Sequence, residues 1–179
     1  MSRPGDFDYL LGTRVALSHP SAVHPQTFVL DEKLSEDYQT MSQEEYDEGT
    51  GHPYAAIKFT CHNVLNSAEQ GFMRIYAQIP VNGTLHSAAE LRAQQARSHG
   101  DHTEVEALVS FDEANCTAVP KLLGVSRIVQ GPQDYVPGGY ITSVAWARVP
   151  GEPVDVYAYW KASYEYRQEV RAAFRATFQ

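Results

Sequence analysis

The chain has 179 residues and a mass of 20.0 kDa, which is enough for one sizeable hydrophobic core and short for two typical domains. Its 14 basic and 22 acidic side chains give a formal net charge of -8, which argues against nucleic acid and anionic membranes as partners. No apolar run approaches the length of a membrane span, and the first residues lack the apolar stretch of a signal peptide. We therefore expect a cytoplasmic protein in which Cys61 and Cys116 are free thiols.

The N-terminal part of the chain carries almost all of the excess negative charge. Between Asp31 and Glu48, eight acidic residues stand against a single lysine, and the segment before it contains three prolines. Because sustained apolar periodicity is lacking, residues 1–48 are predicted to form a partly disordered acidic arm with a short helix near 36–46. A solvated acidic face is the simpler interpretation, and an acidic docking tail is the alternative.

A pair of strands is predicted after Gly49. Residues 54–61 and 71–79 are short runs of β-branched and aromatic side chains, a pattern typical of an antiparallel pair. Side chains in the second run alternate between two faces, and its apolar set is expected to face the core: Met73, Ile75, Ala77 and Ile79.

A helix with a carboxylate in its apolar stripe is predicted next. Thr103 and Glu106 have the spacing of a capping box, which predicts a helix start at Thr103. Glu104, Leu108 and Phe111 then fall on one helical face. An inward Glu104 needs a cation or hydrogen-bond donors, because burial of an unpaired carboxylate is costly. It therefore pairs with an arginine such as Arg74, or it faces water at the helix start.

Two more strands and two helices complete the predicted elements. Residues 119–129 and 139–149 are β-rich runs separated by glycines and prolines, which indicates a hairpin. Asp155 is placed to cap a short helix that ends at Trp160. A longer amphipathic helix follows, with apolar residues at i, i+4 and i+8: Val170, Phe174 and Phe178.

Four segments, in this order of elements, carry a resemblance to a known family. They are Gly71-Phe72-Met73-Arg74-Ile75-Tyr76, Val119-Pro120-Lys121-Leu122-Leu123-Gly124, Val136-Pro137-Gly138-Gly139-Tyr140-Ile141 and Val149-Pro150-Gly151-Glu152-Pro153. From residue 58 to 179 the chain resembles the protein-kinase-like fold, and especially small fungal kinase-like proteins. The resemblance implies an α+β fold: a kinase-like small lobe, which is a twisted antiparallel sheet with one packed helix, followed by two C-terminal helices. It divides the chain into the arm 1–48, a small lobe 49–154 and the start of a helical large lobe 155–179.

The same resemblance implies a nucleotide site. Glu104 matches the helix glutamate that pairs with a strand lysine in active kinases, and Lys58 is the candidate lysine. Ala147 and Val149 fall in the linker where adenine would lie, although the family has an acidic residue at the position of Ala147. The alternative for Lys58 is a solubilising lysine on an edge strand.

The sequence contains no His-Arg-Asp string and no Asp-Phe-Gly string. Phosphoryl transfer needs an aspartate that orients the nucleophile and ligands for Mg²⁺, and neither has a candidate here. The favoured function is therefore a non-catalytic, pseudokinase-type binding or regulatory protein with no catalytic residue, no metal and no cofactor. A truncated or divergent ATP-dependent phosphotransferase, with Lys58 and Glu104 as its phosphate anchor, is the alternative.

Other candidate sites have simpler structural explanations. His99 and His102 flank Asp101, but two histidines in a glycine-containing loop are more often exposed polar residues than metal ligands. Cys61 and His62 are adjacent in a strand and therefore point to opposite faces, so a buried thiol beside a surface histidine is expected.

The C-terminal helix predicts a binding surface. Val170, Phe174 and Phe178 would be covered by later helices in a complete kinase large lobe, so a protein partner, a second copy of this chain or the acidic arm is expected to cover them. A small-molecule-binding α+β protein unrelated to kinases is the third class of function, and it applies if the sheet is not a kinase small lobe.

Overall fold

The computed structural model, which describes residues 6–100, 102–151 and 154–177, is built around two long strands at the centre of an antiparallel sheet. These strands are β3, Tyr54–Asn63, and β4, Gln70–Gln78. Their residues pair from Tyr54 opposite Gln78 to His62 opposite Gln70. The predicted antiparallel pair is confirmed.

Four further strands extend the sheet on both sides. They are β1, Arg14–Leu17; β2, Gln26–Gln39; β5, Leu122–Val129; and β6, Tyr140–Ala147. The order across the sheet is β1-β2-β3-β4-β6-β5, and all neighbours are antiparallel. The predicted hairpin of residues 119–129 and 139–149 is confirmed as β5 and β6.

The two edges of the sheet, β1 and β5, approach each other. Ser18 and Val125 exchange two backbone hydrogen bonds of 2.9 Å, which form an isolated bridge between these edges. Gly124 permits this approach: its φ is +148°, and a Cβ atom there would lie 2.9 Å from the Cβ of Leu17. Only glycine adopts such a backbone without strain, so the near-closure of the sheet depends on it. The result is a nearly closed, six-stranded, barrel-shaped sheet.

The interior of this barrel is the main hydrophobic core. On β3 every second residue from Ala55 to Cys61 is almost completely buried, and the residues between them face outward. The predicted core face of 72–79 is confirmed, since its apolar set is at most 3% exposed: Met73, Ile75, Ala77 and Ile79. Burial of each large apolar side chain contributes about 1.5–3 kcal/mol to folding.

The helix α3, Thr103–Glu113, lies against the outer face of the sheet. Its buried residue Val105 packs with Tyr76 and Val144. The predicted capping box at Thr103 is wrong, because the N-cap is His102 and its side chain makes no capping hydrogen bond. A capping box is instead found at Ser42, which precedes the short helix α1, Gln43–Asp47. Ser42 and Glu45 have the same spacing as Thr103 and Glu106.

The remaining helices are short, apart from the last. They are a 3-10 turn at Asp8–Leu10; α1, Gln43–Asp47; α2, Ala89–Ala93; α4, Val156–Lys161; and α5, Tyr164–Thr177. The predicted cap at Asp155 is confirmed, because its carboxylate accepts hydrogen bonds from the backbone N–H groups of Tyr157 and Ala158. None of the helices in the described chain combines the length and apolar character needed to cross a bilayer.

The prediction of a kinase-like fold is wrong. The expected small lobe was a twisted antiparallel sheet with one packed helix, whereas the six strands here nearly close into a barrel. Strands β1 and β2 come from the segment 1–48, which was predicted to be an acidic arm, so the sheet crosses the predicted boundary at residue 48. The resemblance was wrong because its segments form ordinary parts of an antiparallel sheet: residues 136–141, for example, are the end of the connection between β5 and β6 and the first two residues of β6.

Candidate functional site

Lys58, the candidate phosphate anchor, lies on the outer face of β3. Its ammonium group is 4.6 Å from the centroid of the Phe72 ring and 5.6 Å from that of Trp146. Cation–π contacts of this kind contribute about 0.5–1 kcal/mol at exposed sites. The alternative of an edge-strand lysine is wrong, because β3 lies inside the sheet between β2 and β4.

Glu104 is bound by two side chains of β4. The Nη1 atom of Arg74 donates to its Oε2 atom at 2.9 Å, and the hydroxyl of Tyr76 donates to the same oxygen at 2.7 Å. Burial and the hydrogen bond to Glu104 raise the pKa of Tyr76 to about 12. The expectation that Glu104 pairs with Arg74 is confirmed. Arg74, and not Lys58, is therefore the cation beside the carboxylate.

The two predicted adenine-binding residues lie at and beyond the end of β6. Ala147 is the last residue of this strand, and its N–H donates to the carbonyl of Lys121 at 2.8 Å. Val149 follows in an exposed segment. The four residues of the predicted nucleotide site therefore come from β3, α3 and the end of β6, and the two charged ones are engaged by other side chains.

An aromatic cluster that the sequence analysis missed surrounds the N-terminus of α3. The buried ring of His102 stacks on Tyr76 with 3.8 Å between centroids, and the edge of Tyr54 meets it at 4.8 Å. Tyr140 lies 5.5 Å away, and its hydroxyl hydrogen-bonds the Nε2 atom of His52 at 2.9 Å. Three of these rings, Tyr54, Tyr76 and Tyr140, come from the adjacent strands β3, β4 and β6, and the two histidines come from loops. No short-range pattern in the sequence indicates the cluster, because the strand order brings its members together. It attaches α3 to the sheet.

The remaining sequence candidates take structural positions. His102 belongs to the aromatic cluster, His99 is exposed, and Asp101 lies outside the described residues. Across residues 6–100, 102–151 and 154–177, no group of three or more His, Cys, Asp or Glu side chains is arranged to hold a metal ion.

Cys61 and His62 point to opposite sides of β3, as expected. The Cys61 thiol is buried, and this burial raises its pKa to about 12, so it is a poor nucleophile. The ring of His62 is partly exposed and lies 2.8 Å from a carboxylate oxygen of Asp31. Both cysteines are free thiols, which confirms the prediction.

The C-terminal helical pair, α4 and α5, has no buried residue and exposes several large aromatic side chains. The short helices α1 and α2 also have no buried residue, but α5 spans 14 residues. On α4, Trp160 is 60% exposed and packs edge-on against Tyr159, and the ammonium of Lys161 lies 3.9 Å from the centroid of the Tyr157 ring. On α5, Phe174 is 63% exposed. Phe178 lies outside the described residues.

A groove of about 440 Å³ lies between these two helices. Its apolar lining consists of Val154, Val156, Tyr159, Trp160, Val170 and Phe174. Arg171 and Arg175 complete the lining, which contains no acidic residue in the described chain. The sequence analysis identified the α5 half of this groove by its apolar spacing. The aromatic residues of the α4 segment, which include Tyr159 and Trp160, predict either a binding surface or packing between the two terminal helices. The arginines were missed, although Arg171 and Arg175 are themselves spaced i and i+4.

No known protein family matches the sequence, and neither the curated proteins nor the solved structures include a significant match. The predicted resemblance to kinase-like proteins is therefore supported neither by a related protein nor by the shape of the sheet.

Proposed function

We propose that this protein is a non-catalytic binding protein that holds an acidic, amphipathic helix of a partner protein in the groove between α4 and α5. The proposal is carried by one observation: the helical pair forms an apolar groove with two arginines and has no buried residue. Grooves of this kind receive the apolar face of a helix through side chains spaced three or four residues apart.

The apolar part of the groove supplies the affinity. Trp160, Tyr159 and Phe174 are large rings that contact water in the isolated chain. Contiguous exposed apolar surface on a protein is typical of interaction sites, and aromatic residues are enriched among those that contribute most to binding. Covering these rings would remove their apolar area from water at about 25 cal/mol per Å².

The charges select the partner. The chain has a net charge of -8, yet the only ionised side chains in the described lining of the groove are Arg171 and Arg175. Guanidinium groups bind carboxylates with two parallel hydrogen bonds, so glutamates and aspartates beside the apolar stripe of a partner helix fit this rim. A basic helix would be repelled by the same two residues.

The absence of catalysis is supported by the state of the reactive groups. The carboxylate of Glu104 is taken by Arg74 and Tyr76. The thiol of Cys61 is buried in the barrel with a raised pKa. Groups held in this way contribute to folding and are poorly placed to act on a substrate.

The test uses two fluorescein-labelled helical peptides with the same leucine stripe, one flanked by glutamates and one by lysines. In fluorescence anisotropy titrations at low salt, we expect the acidic peptide to bind at least tenfold more tightly. Trp160→Ala should weaken its binding at least tenfold, and Arg171→Glu should remove the preference for the acidic peptide.

Two exposed residues outside the groove provide matched controls. Leu65→Ala, in the loop between β3 and β4, and Arg127→Glu, on β5, should leave peptide affinity unchanged. Equal binding of the two peptides would contradict the proposed partner class. Dimerisation at micromolar concentration that is lost in Trp160→Ala would also overturn it, because a second copy would then be the occupant.

The non-catalytic part of the proposal has a separate test. Thermal unfolding is measured with and without millimolar ATP and Mg²⁺, since a ligand at 100 times its Kd adds about 2.7 kcal/mol of stability. We expect no shift. A clear upward shift that Lys58→Ala or Glu104→Ala abolishes would overturn the proposal, because it would establish a nucleotide site.

A further inference from the structure

We propose a second binding site, in the seam of the barrel between β1 and β5, that takes a small apolar carboxylate. A cleft of about 300 Å³ opens there. This volume is at the lower end of those found for small-molecule sites, about 300–1,000 Å³. The site is separate from the groove of the helical pair and does not depend on it.

The cleft exists because the barrel is closed at one point only. The edges β1 and β5 are joined by the isolated bridge between Ser18 and Val125. Beyond this bridge β5 continues from Ser126 to Val129 and pairs with β6 alone. The inner face of the sheet is therefore open to solvent along the unpaired part of the seam.

One wall of the cleft is the concave face of three adjacent strands. Two rows of side chains cross β4, β6 and β5 in register. The first row is Ile75, Ser143 and Ser126, and the second row is Ala77, Ile141 and Ile128. The rows place two hydroxyls on an otherwise apolar wall.

The opposite wall comes from the N-terminal residues. Phe7, Leu10 and Val15 pack on the same core cluster as the sheet interior and line the cleft from the other side. The phenol ring of Tyr9 packs near Phe7, with 6.0 Å between centroids, and lies at the same wall. The cleft is thus apolar on both sides, which favours an apolar ligand body.

The polar groups specify the ligand. Arg14, which starts β1, is the one charged residue in the described lining, and it is a cation in an otherwise strongly acidic protein. A guanidinium binds a carboxylate through two parallel, charge-assisted hydrogen bonds, and a single arginine matches the single negative charge of a carboxylate. The hydroxyls of Ser126 and Ser143 offer further hydrogen-bond donors and acceptors. An apolar molecule with one carboxylate, such as a medium-chain fatty acid, satisfies these features.

The test exploits two neighbouring residues at the mouth of the cleft. Ile128 is 56% exposed and lines the cleft, whereas the next residue, Val129, is 66% exposed and lies on the other face of the same strand. Ile128→Glu and Val129→Glu therefore change the net charge equally, and both replace a side chain that is mostly exposed. Both proteins should fold, which circular dichroism checks.

Binding is measured with the neutral fluorophore 1-aminoanthracene, which decanoate and decanol are then used to displace. We expect the wild type and Val129→Glu to bind the probe, and Ile128→Glu to lose decanoate affinity at least tenfold. Arg14→Gln should weaken decanoate about two- to fivefold, the range of a partly exposed ion pair, and leave decanol unchanged.

Three results would overturn this inference. If the wild type fails to bind the probe or decanoate, the proposed site does not exist. If Ile128→Glu and Val129→Glu bind decanoate equally, the ligand does not occupy this cleft. Arg14→Gln could weaken decanoate and decanol equally, which would remove the selectivity for a carboxylate. None of these results bears on peptide binding to the helical pair.

Discussion

Aromatic rings and charged side chains occur together in two regions: the outer face of the sheet beneath α3, and the C-terminal helical pair. In the first region these groups contact each other, whereas in the second the rings face solvent. Under α3, the Glu104 carboxylate meets Arg74 and Tyr76, and the ring of His102 is stacked on Tyr76. On the helical pair, Trp160 and Phe174 are mostly exposed. The first region packs its charged and aromatic groups against each other, whereas the rings of the second region remain largely exposed.

This difference shows which chemistry-bearing residues are structural. A charged side chain beside rings is typical of a binding site only when the rings face an open surface. The sequence predicted Glu104 as a phosphate-anchoring carboxylate of a nucleotide site, but its partners are Arg74 and Tyr76 of β4. The sequence predicted no role for Arg171 and Arg175, although they line an open apolar groove.

The largest expected effect is a loss of stability at alkaline pH, which tests the buried thiol of Cys61 inside the barrel. The folded protein holds the Cys61 proton up to a pKa of about 12, whereas the unfolded chain releases it near 9.0. The unfolded state therefore binds fewer protons between these values, so stability is complete below pH 9 and falls as pH rises towards 12. Between pH 9 and 10 we expect stability in urea unfolding to fall with a slope that approaches about 1.4 kcal/mol per pH unit. Above pH 10 tyrosines with raised pKa values, such as Tyr76, add to the loss. Cys61→Ala should flatten the dependence between pH 9 and 10, and the matched Cys116→Ala should keep it; an unchanged slope in Cys61→Ala over this range would contradict the assignment.

Gln78→Leu should destabilise the protein by about 1–3 kcal/mol, because the fully buried Gln78 side chain satisfies two partly buried backbone groups that lose their partners. The Nε2 atom of Gln78 donates to the carbonyl of Gln95 at 2.7 Å, and its Oε1 atom accepts from the N–H of Arg97 at 2.9 Å. The exposed residue Gln70, on the same strand, gives the control Gln70→Leu, which should be nearly neutral. The free energies of unfolding of the two variants are measured in urea. Equal values would contradict a stabilising role for the Gln78 hydrogen bonds.

Tyr76→Phe should cost about 1–2 kcal/mol, since Glu104 loses one of its two hydrogen bonds and remains half-buried. The counterpart on the helical pair is Tyr157→Phe, at an exposed tyrosine of α4. It should change stability by less than about 0.5 kcal/mol. A comparable loss in both variants would mean that the two regions do not differ as described.

The smallest expected effect on folding belongs to Phe174→Ala, with a change below about 0.5 kcal/mol because most of the ring is already in water. On α3, the buried Val105→Ala should cost about 1–2 kcal/mol. Thermal or urea unfolding measures both changes. A large loss in Phe174→Ala would show that α5 is needed for the fold and would weaken its assignment as a docking surface.

Much of the local structure followed from the sequence. The alternation in 71–79 predicted the inward face of β4 correctly, because side chains of a strand alternate whatever sheet contains it. The cap at Asp155 was equally local, as it depends on a side chain and the two N–H groups that follow it. The capping box assigned to Thr103 failed because His102, which stacks on Tyr76, takes the N-cap position instead.

The candidate sites were less predictable. Spacing along α5 indicated Val170 and Phe174, but the groove also needs α4 to lie beside them, which no periodicity specifies. The seam cleft joins β1 to strands more than 100 residues away, through a bridge that requires Gly124. Its lining residues are unremarkable in the sequence, since small apolar residues and serines occur in most strands.

The sequence by itself determined the antiparallel strands, the face of β4 that is buried and the amphipathic C-terminal helix. These features depend on alternation and helical spacing, which are short-range. Only the tertiary structure decided that Glu104 meets Arg74 and not water, that the sheet nearly closes, that Arg14–Leu17 and Gln26–Gln39 belong to it and that the helical pair exposes its rings. Closure of the barrel and exposure of the helical pair depend on which distant strand edges and helix faces meet. No short-range sequence pattern specifies the free energy of those contacts.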